Sequence, residues 1–133
     1  MRKKIASQTY FKFAEDINTT LKKISNTEEK KGKIMVASQL YFYSGETGLK
    51  YFLKLGNYSM PRDNILLELR MYEPNELNKK LINKIEEIYL DLLPKTIGGR
   101  GMRNLGAYQG KNSNIYETHR EFAKLVNQLI ENE

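Results

Sequence analysis

Two short clusters of turn-forming residues divide the middle of this sequence into three apolar segments. Residues 44–48 (SGETG) and 56–64 (GNYSMPRDN) combine glycine, serine, proline and aspartate, which favour tight turns. The segments that they separate, 33–43, 49–55 and 65–73, are rich in aliphatic and aromatic residues. Because short connections between strands imply antiparallel pairing, the sequence predicts a three-stranded antiparallel meander.

Helical periodicity flanks this middle region on both sides. Apolar residues recur every three or four positions over 7–25, over 75–93 and from Asn114 almost to the C-terminus, as on the buried face of a helix. Asn114 stands three residues before Glu117, as in a capping box, and the polar run 25–32 is expected to be a loop. The sequence predicts one α+β domain over residues 1–133: an N-terminal helix, the meander and two C-terminal helices (α-β-β-β-α-α).

The lone histidine and the absence of cysteine limit the available chemistry. Without Cys there is no disulfide, no thiolate metal site and no cysteine nucleophile. A metal site at His119 would need carboxylates, and none cluster near it in the sequence, so we expect no metal and no cofactor. No apolar run approaches the ~18 residues that span a bilayer, and no secretory signal is recognisable. We therefore expect a cytoplasmic protein without membrane contact.

The net charge of +6 is unevenly distributed along the chain. Residues 1–33 carry nine basic and four acidic side chains, and residues 95–120 carry five basic and one acidic. Such a balance is typical of a protein with a polyanionic partner, although it also fits a merely well-solvated surface.

A glycine- and arginine-rich stretch between the two C-terminal helices is the strongest functional signal. This Gly/Arg segment, residues 95–116, reads KTIGGRGMRNLGAYQGKNSNIY and precedes a helix N-terminus, which favours anions. It matches neither a Walker loop nor a dinucleotide fingerprint, and a plain surface loop is the alternative. The predicted phosphate contacts, including the basic residue just beyond the segment, are Gly99, Arg100, Gly101, Arg103, Lys111 and Arg120.

Aromatic side chains give a second signal. In the predicted meander, Tyr41, Tyr43 and Phe52 share one face with lysines, which is a pattern typical of base-stacking platforms. Tyr108, in the Gly/Arg segment, is a further stacking candidate. The alternative is that a helix covers this face and that the aromatic residues form a second core.

Two signals for catalysis are weaker. His119, beside the Gly/Arg segment, is either a general acid or base for phosphodiester cleavage or a residue at the boundary of the core. Glu68 and Arg70 have the spacing of the E-x-K motif of metal-dependent nucleases, but a salt bridge explains Glu68 better. We therefore assign no catalytic residue.

These observations favour a small binding protein rather than an enzyme. Its expected ligand is nucleic acid or a nucleotide, held through phosphate by the Gly/Arg segment. The alternative is an accessory protein of a phage or mobile element that binds and inhibits another protein, with Tyr58 and Tyr108 exposed for that contact. A metal-independent nuclease using His119 and Arg100 is the third hypothesis.

Overall fold

The computed structural model describes residues 2–55, 62–73, 75–93 and 113–133. These residues form five α-helices: α1 (Arg2–Thr20), α2 (Thr27–Phe52), α3 (Arg62–Met71), α4 (Glu76–Leu92) and α5 (Ser113–Glu131). A 3-10 turn, Leu21–Lys23, follows α1. The described ranges contain no β-strand, so the predicted α+β class and its three-stranded meander are wrong.

The three predicted strands are helical. Residues 33–43 and 49–55, together with the turn predicted between them, belong almost entirely to the single helix α2, and most of 65–73 belongs to α3. Short apolar runs do not distinguish strand from helix by alternation alone. The buried positions of α2 follow helical spacing instead: Ala37, Ser38, Tyr41, Phe42, Ser44, Gly45, Gly48, Leu49 and Phe52 lie on its inner side.

The glycines that suggested a turn are needed for close helix packing. A Cβ atom placed on Gly45 would overlap the ring of Phe122, and one on Gly48 would lie 2.6 Å from Val126 Cγ1 and 2.8 Å from Ser7 Oγ. Glycine inside a helix costs about 1 kcal/mol relative to alanine. Glycine is nevertheless required at positions 45 and 48, because α1 and α5 approach α2 closely there. The two glycines therefore indicate close packing between helices and not a turn of the chain.

The three predicted helices are present. The structure has α4 at Glu76–Leu92 against a predicted 75–93, and α5 begins at Ser113, one residue before the predicted Asn114. The N-terminal helix begins at Arg2, earlier than the predicted position 7. The predicted loop 25–32 is much shorter, because Asn26 Oδ1 accepts a hydrogen bond from Glu29 N at 2.9 Å and starts α2 there.

The hairpin formed by α1 and α2 is antiparallel. The hydroxyl of Ser7 donates to Ser44 O and that of Ser44 donates to Ser7 O, both at 2.6 Å, while Asn127 Nδ2 from α5 donates to Ser44 Oγ at 3.0 Å. Each of these buried polar groups therefore has a partner where the three helices meet.

Helix α5 runs parallel to α2 and antiparallel to α4. Its Tyr116 lies beside Tyr41, with ring centroids 5.8 Å apart, and its Val126 lies beside Gly48. Tyr89 of α4 stacks on Phe122 at 5.3 Å with an interplanar angle of 8°. These contacts bury two hydrophobic clusters, one between α1, α2 and α5 and a larger one between α2, α3, α4 and α5.

The C-terminus of α2 ends in a Schellman motif. Leu55 N donates to Lys50 O at 2.9 Å and Lys54 N donates to Tyr51 O at 3.1 Å. Lys54 has φ of 58°, in the left-handed region where glycine is usual. This motif ends the helix at the pole of the bundle opposite to the turn between α1 and α2.

Candidate functional site

The turn between α1 and α2 carries a dense group of lysines. Lys31 Nζ lies 3.6 Å from Glu28 Oε1, and the two glutamates of this region occupy the first turn of α2, where the helix dipole favours negative charge. We call this surface the basic end, and its members are Lys22, Lys23, Lys30, Lys31 and Lys33. All are exposed except Lys33, which is half-buried.

The first turn of α5 packs beside the basic end. Tyr116 is 4 % exposed and its hydroxyl donates to Asn18 Oδ1, near the end of α1, at 2.6 Å. Leu21, in the 3-10 turn, belongs to the same buried cluster as Tyr116. Helix α5, whose first turn is the end of the Gly/Arg segment, therefore starts at the pole of the bundle that carries the lysines.

Two stretches account for the net positive charge of the whole chain: the lysine-rich turn at this pole and the residues that directly precede α5 in the sequence. Residues 20–33 hold five lysines and two glutamates, and residues 94–112 hold four basic residues and no acidic one. These stretches sum to +7, whereas the chain sums to +6, so all the other residues together carry −1. The first turn of α5 contains no acidic residue either.

Most of the predicted phosphate contacts lie outside the described residues. These are Gly99, Arg100, Gly101, Arg103 and Lys111, and the stacking candidate Tyr108 lies outside them as well. Their assignment stays a prediction.

Arg120, the remaining predicted phosphate contact, is bound to a carboxylate of α1. Its Nε donates to Glu15 Oε1 at 2.8 Å and its Nη2 donates to Glu15 Oε2 at 3.2 Å. Glu117 Oε2 lies 3.9 Å from Arg120 Nη1. Because both Glu15 oxygens are engaged, the guanidinium clamps α1 to α5. No local sequence pattern indicates this pair, whose members lie 105 positions apart.

The clamp extends to a buried tyrosine. Tyr41 donates its hydroxyl hydrogen to Glu15 Oε1 at 2.8 Å. The hydrogen bond from Arg120 lowers the pKa of Glu15, and partial burial opposes that shift. Burial, followed by the hydrogen bond to Glu15, raises the pKa of Tyr41, and burial raises the pKa of Tyr116 to about 12. At neutral pH both phenols are therefore neutral donors, Tyr41 to Glu15 and Tyr116 to Asn18.

The three stacking candidates of the middle region do not share a surface. Tyr41 is fully buried in the cluster between α1, α2 and α5, and Phe52 is 4 % exposed in the other cluster, 4.8 Å from Tyr72. Tyr43 is half-buried, with its ring 5.8 Å from that of Tyr10. The sheet face on which they were predicted to align is not formed in the described ranges.

His119 is fully buried, not at the boundary of the core. Its Nδ1 lies 2.8 Å from Ile115 O, so Nδ1 carries the proton that this carbonyl accepts. The ring meets Phe42 edge-on, with centroids 6.4 Å apart. A phosphodiester reaches this ring only if the helices separate.

The pattern at Glu68 and Arg70 does not form a nuclease motif in this structure. Both residues lie in the helix α3 rather than on a strand. Arg70 Nε donates to Glu86 Oε1 of α4 at 2.7 Å, so its partner is on the next helix. The pair connects α3 to α4.

Among the described helices none has an apolar stretch that is long enough to cross a bilayer. Comparison of the sequence and the structure with protein-family models, with curated proteins and with solved structures found no match.

Proposed function

We propose that this protein binds the phosphate backbone of nucleic acid at the basic end, together with the Gly/Arg segment. The observation that carries the proposal is the contact between Tyr116 and Asn18, which sets the start of α5 beside the lysine-rich turn. The Gly/Arg segment runs into the first turn of α5, so its C-terminal end lies at the same pole of the bundle as the lysines.

The charge distribution supports a polyanion rather than a small neutral ligand. A positive pole on a body that is otherwise close to neutral attracts phosphates over roughly one Debye length, about 8–10 Å at physiological salt. Flexible lysines provide point charges that follow a phosphate chain without a fixed geometry. Arginines between glycines add planar donors that bind phosphate oxygens in pairs. Such a surface recognises the backbone and not the base sequence.

Binding is favoured over catalysis by the position of the one histidine. His119 lies in the interior, with its Nδ1 bound to a backbone carbonyl. Its ring is therefore withheld from the surface that carries the lysines, where a bound phosphate would lie.

The experiment measures the affinity for a fluorescent oligonucleotide across a salt series. The basic-end variant combines Lys22→Gln, Lys23→Gln, Lys30→Gln and Lys31→Gln. The matched control combines Lys54→Gln, Lys79→Gln, Lys80→Gln and Lys84→Gln, which removes the same charge from other exposed positions. Counterion release contributes roughly 0.9 to the slope of log affinity against log salt for each phosphate contact.

We expect the basic-end variant to bind more weakly and with a smaller salt dependence, and the control variant to keep most of its affinity and salt dependence. Equal losses in the two variants would show that only the total charge matters. An excess of free nucleotide in the same titration separates the two forms of the ligand: competition at low concentration would identify a nucleotide site, and weak competition a polymer site.

A further inference from the structure

Aromatic and aliphatic side chains line one side of the hairpin formed by α1 and α2. The ring of Tyr10 lies 5.8 Å from that of Tyr43 and joins the two helices on this side. Phe13 follows Tyr10 by three positions, so it lies one turn further along the same side of α1. Val36 precedes Tyr43 by seven positions, which is two turns along the same side of α2. We call these four residues the hairpin groove.

Two members of the hairpin groove are exposed to solvent. Phe13 is 53 % and Val36 is 52 % exposed, whereas the two tyrosines are half-buried. Glu15, which binds Arg120 of α5, stands two positions after Phe13, and two positions turn a helix by about 200°. Phe13 therefore points away from α5. Among the described helices, α1 contacts only α2, α5 and the adjoining 3-10 turn, so no other helix covers this ring.

The exposed part of the groove lies on the side of the basic end. Because Tyr10 lies beside Tyr43 in an antiparallel hairpin, and the serine contacts one turn away give nearly the same register, Val36 is level with residues 15–17. Val36 is thus about 3–6 Å beyond Phe13 along the axis, at 1.5 Å per residue. Both side chains lie between the tyrosine pair and the lysine-rich turn.

The charges around the groove include both signs. Lys33 lies one turn before Val36, and the four other lysines of the basic end follow in the direction of the turn. Asp16, three positions after Phe13, is exposed, and so is Glu29 in the first turn of α2. The groove itself is uncharged. A ligand that uses both surfaces therefore carries negative charge at the lysines and offers a flat, uncharged group to Phe13.

We propose that the nucleic acid bound at the basic end is single-stranded and that one of its bases stacks on Phe13 in the hairpin groove. This inference rests on the proposed function. Proteins that bind single strands combine cations along the backbone with aromatic rings on which bases stack, and every base has a face that stacks in this way. In a duplex the bases are already stacked on each other, so Phe13 would have no base to bind.

The first measurement compares the affinity for a labelled strand of about 12 nucleotides, a length within the range of single-strand sites, with the affinity for the same strand paired with its complement. Phosphate contacts alone favour the duplex, because it has the higher density of negative charge. We expect the wild type to bind the single strand more tightly. That order cannot arise from charge alone.

The second measurement removes the ring and keeps the lysines. Phe13→Ala should weaken binding of the single strand about 5- to 150-fold, the usual loss for one stacked base. The salt dependence should not change, since no phosphate contact is lost. Phe13→Tyr keeps an aromatic face and should retain the affinity. Leu67→Ala is the matched control, because Leu67 is 54 % exposed on α3. Asp16→Asn removes a repulsive charge beside the groove and should strengthen binding.

Circular dichroism establishes that each variant is folded before its affinity is interpreted. A duplex that binds as tightly as the single strand would overturn the inference, and so would an unchanged affinity in Phe13→Ala or an equal loss in Leu67→Ala. In each of these cases a loss confined to the basic-end variant would still support the proposed function. If neither form of nucleic acid binds to the wild type, the proposed function and this inference both fail.

Discussion

Tyr116 and Asn18 are 98 positions apart in the sequence, and the tyrosine hydroxyl donates to the asparagine Oδ1 at 2.6 Å. This hydrogen bond joins the first turn of α5 to the last turn of α1. The start of α5 therefore lies at the pole of the bundle where α1 ends.

Tyr116→Phe removes this hydrogen bond and leaves the aromatic packing against Tyr41 in place. The free energy of unfolding should fall by about 1 kcal/mol, the usual net contribution of one hydrogen bond. Urea denaturation measures it. Tyr72→Phe, at an exposed position, is the matched control and should change stability by less than about 0.5 kcal/mol. Equal effects of the two substitutions would show that the Asn18 contact contributes nothing specific.

Gly45→Ala should destabilise the protein although alanine is the better helix former. The added methyl group overlaps the Phe122 ring, and overpacking of this kind costs about 1–3 kcal/mol. Gly32→Ala is the matched control on the same helix, because a Cβ there meets nothing within 4 Å. It should stabilise by up to about 1 kcal/mol. The two substitutions should therefore change the free energy of unfolding in opposite directions, as measured by thermal or urea denaturation. A stabilising Gly45→Ala would contradict the close packing of α5 on α2.

Glu15→Gln should lower stability at neutral pH and matter less in acid. The pKa of Glu15 is lowered from 4.5 in the folded protein, chiefly by Arg120. The carboxylate therefore stabilises the folded state fully above pH 4.5, and its contribution declines as the pH falls through the lowered value. The difference in unfolding free energy between wild type and Glu15→Gln, measured at neutral and at acidic pH, should shrink on acidification. A difference that does not change with pH would mean that the ion pair between Glu15 and Arg120 is not the source of the stability lost in Glu15→Gln.

Arg100→Ala with Arg103→Ala should weaken oligonucleotide binding and reduce its salt dependence. If both guanidinium groups contact phosphate, the slope of log affinity against log salt should fall by roughly 1.8, at 0.9 for each contact. Lys79→Ala with Lys80→Ala removes the same charge from exposed positions of α4 and should leave the slope nearly unchanged. An unaltered affinity in the arginine variant would remove the Gly/Arg segment from the site.

Purified protein should not cleave RNA or DNA, because the His119 ring is enclosed by the core. His119→Ala should instead be a stability mutant, and a loss of about 2–4 kcal/mol is the usual result of truncating a buried side chain of this size. Incubation with labelled oligonucleotides over a range of pH, together with urea denaturation, measures both effects. Robust cleavage that disappears in a folded His119→Ala variant would reverse the ranking of binding over catalysis.

The sequence predicted α4 and α5 because their apolar residues form stripes at helical spacing, with Asn75 and Asn114 near their starts. The prediction was wrong at α2, because the cluster Ser44 to Gly48 has the composition of a turn. The small residues of this cluster are explained by the side chains of Ser7, Phe122 and Val126 that pack against them, and these contacts could not be predicted from the sequence.

The same limit applies to the candidate site. Counting charges located the positive excess in residues 1–33 and 95–120, since that needs no knowledge of the fold. That the first turn of α5 lies beside the lysine-rich turn depends on the packing of α5 against α1 and could not be predicted from local patterns. The interpretation of Arg120 as a phosphate contact has the same origin. Its partner Glu15 lies in the first helix, and no local pattern connects the two residues.

The parallel packing of α5 on α2 has a consequence for the order of events during synthesis. The groove at Gly45 and Gly48 is filled by side chains of α5, which begins about 60 residues after α2 ends. At roughly 5–20 residues per second, the first hairpin waits on the order of 3–12 s before synthesis of α5 begins. During that interval the side of α2 that carries Gly45 and Gly48 lacks the side chains of Phe122 and Val126 that cover it in the folded protein.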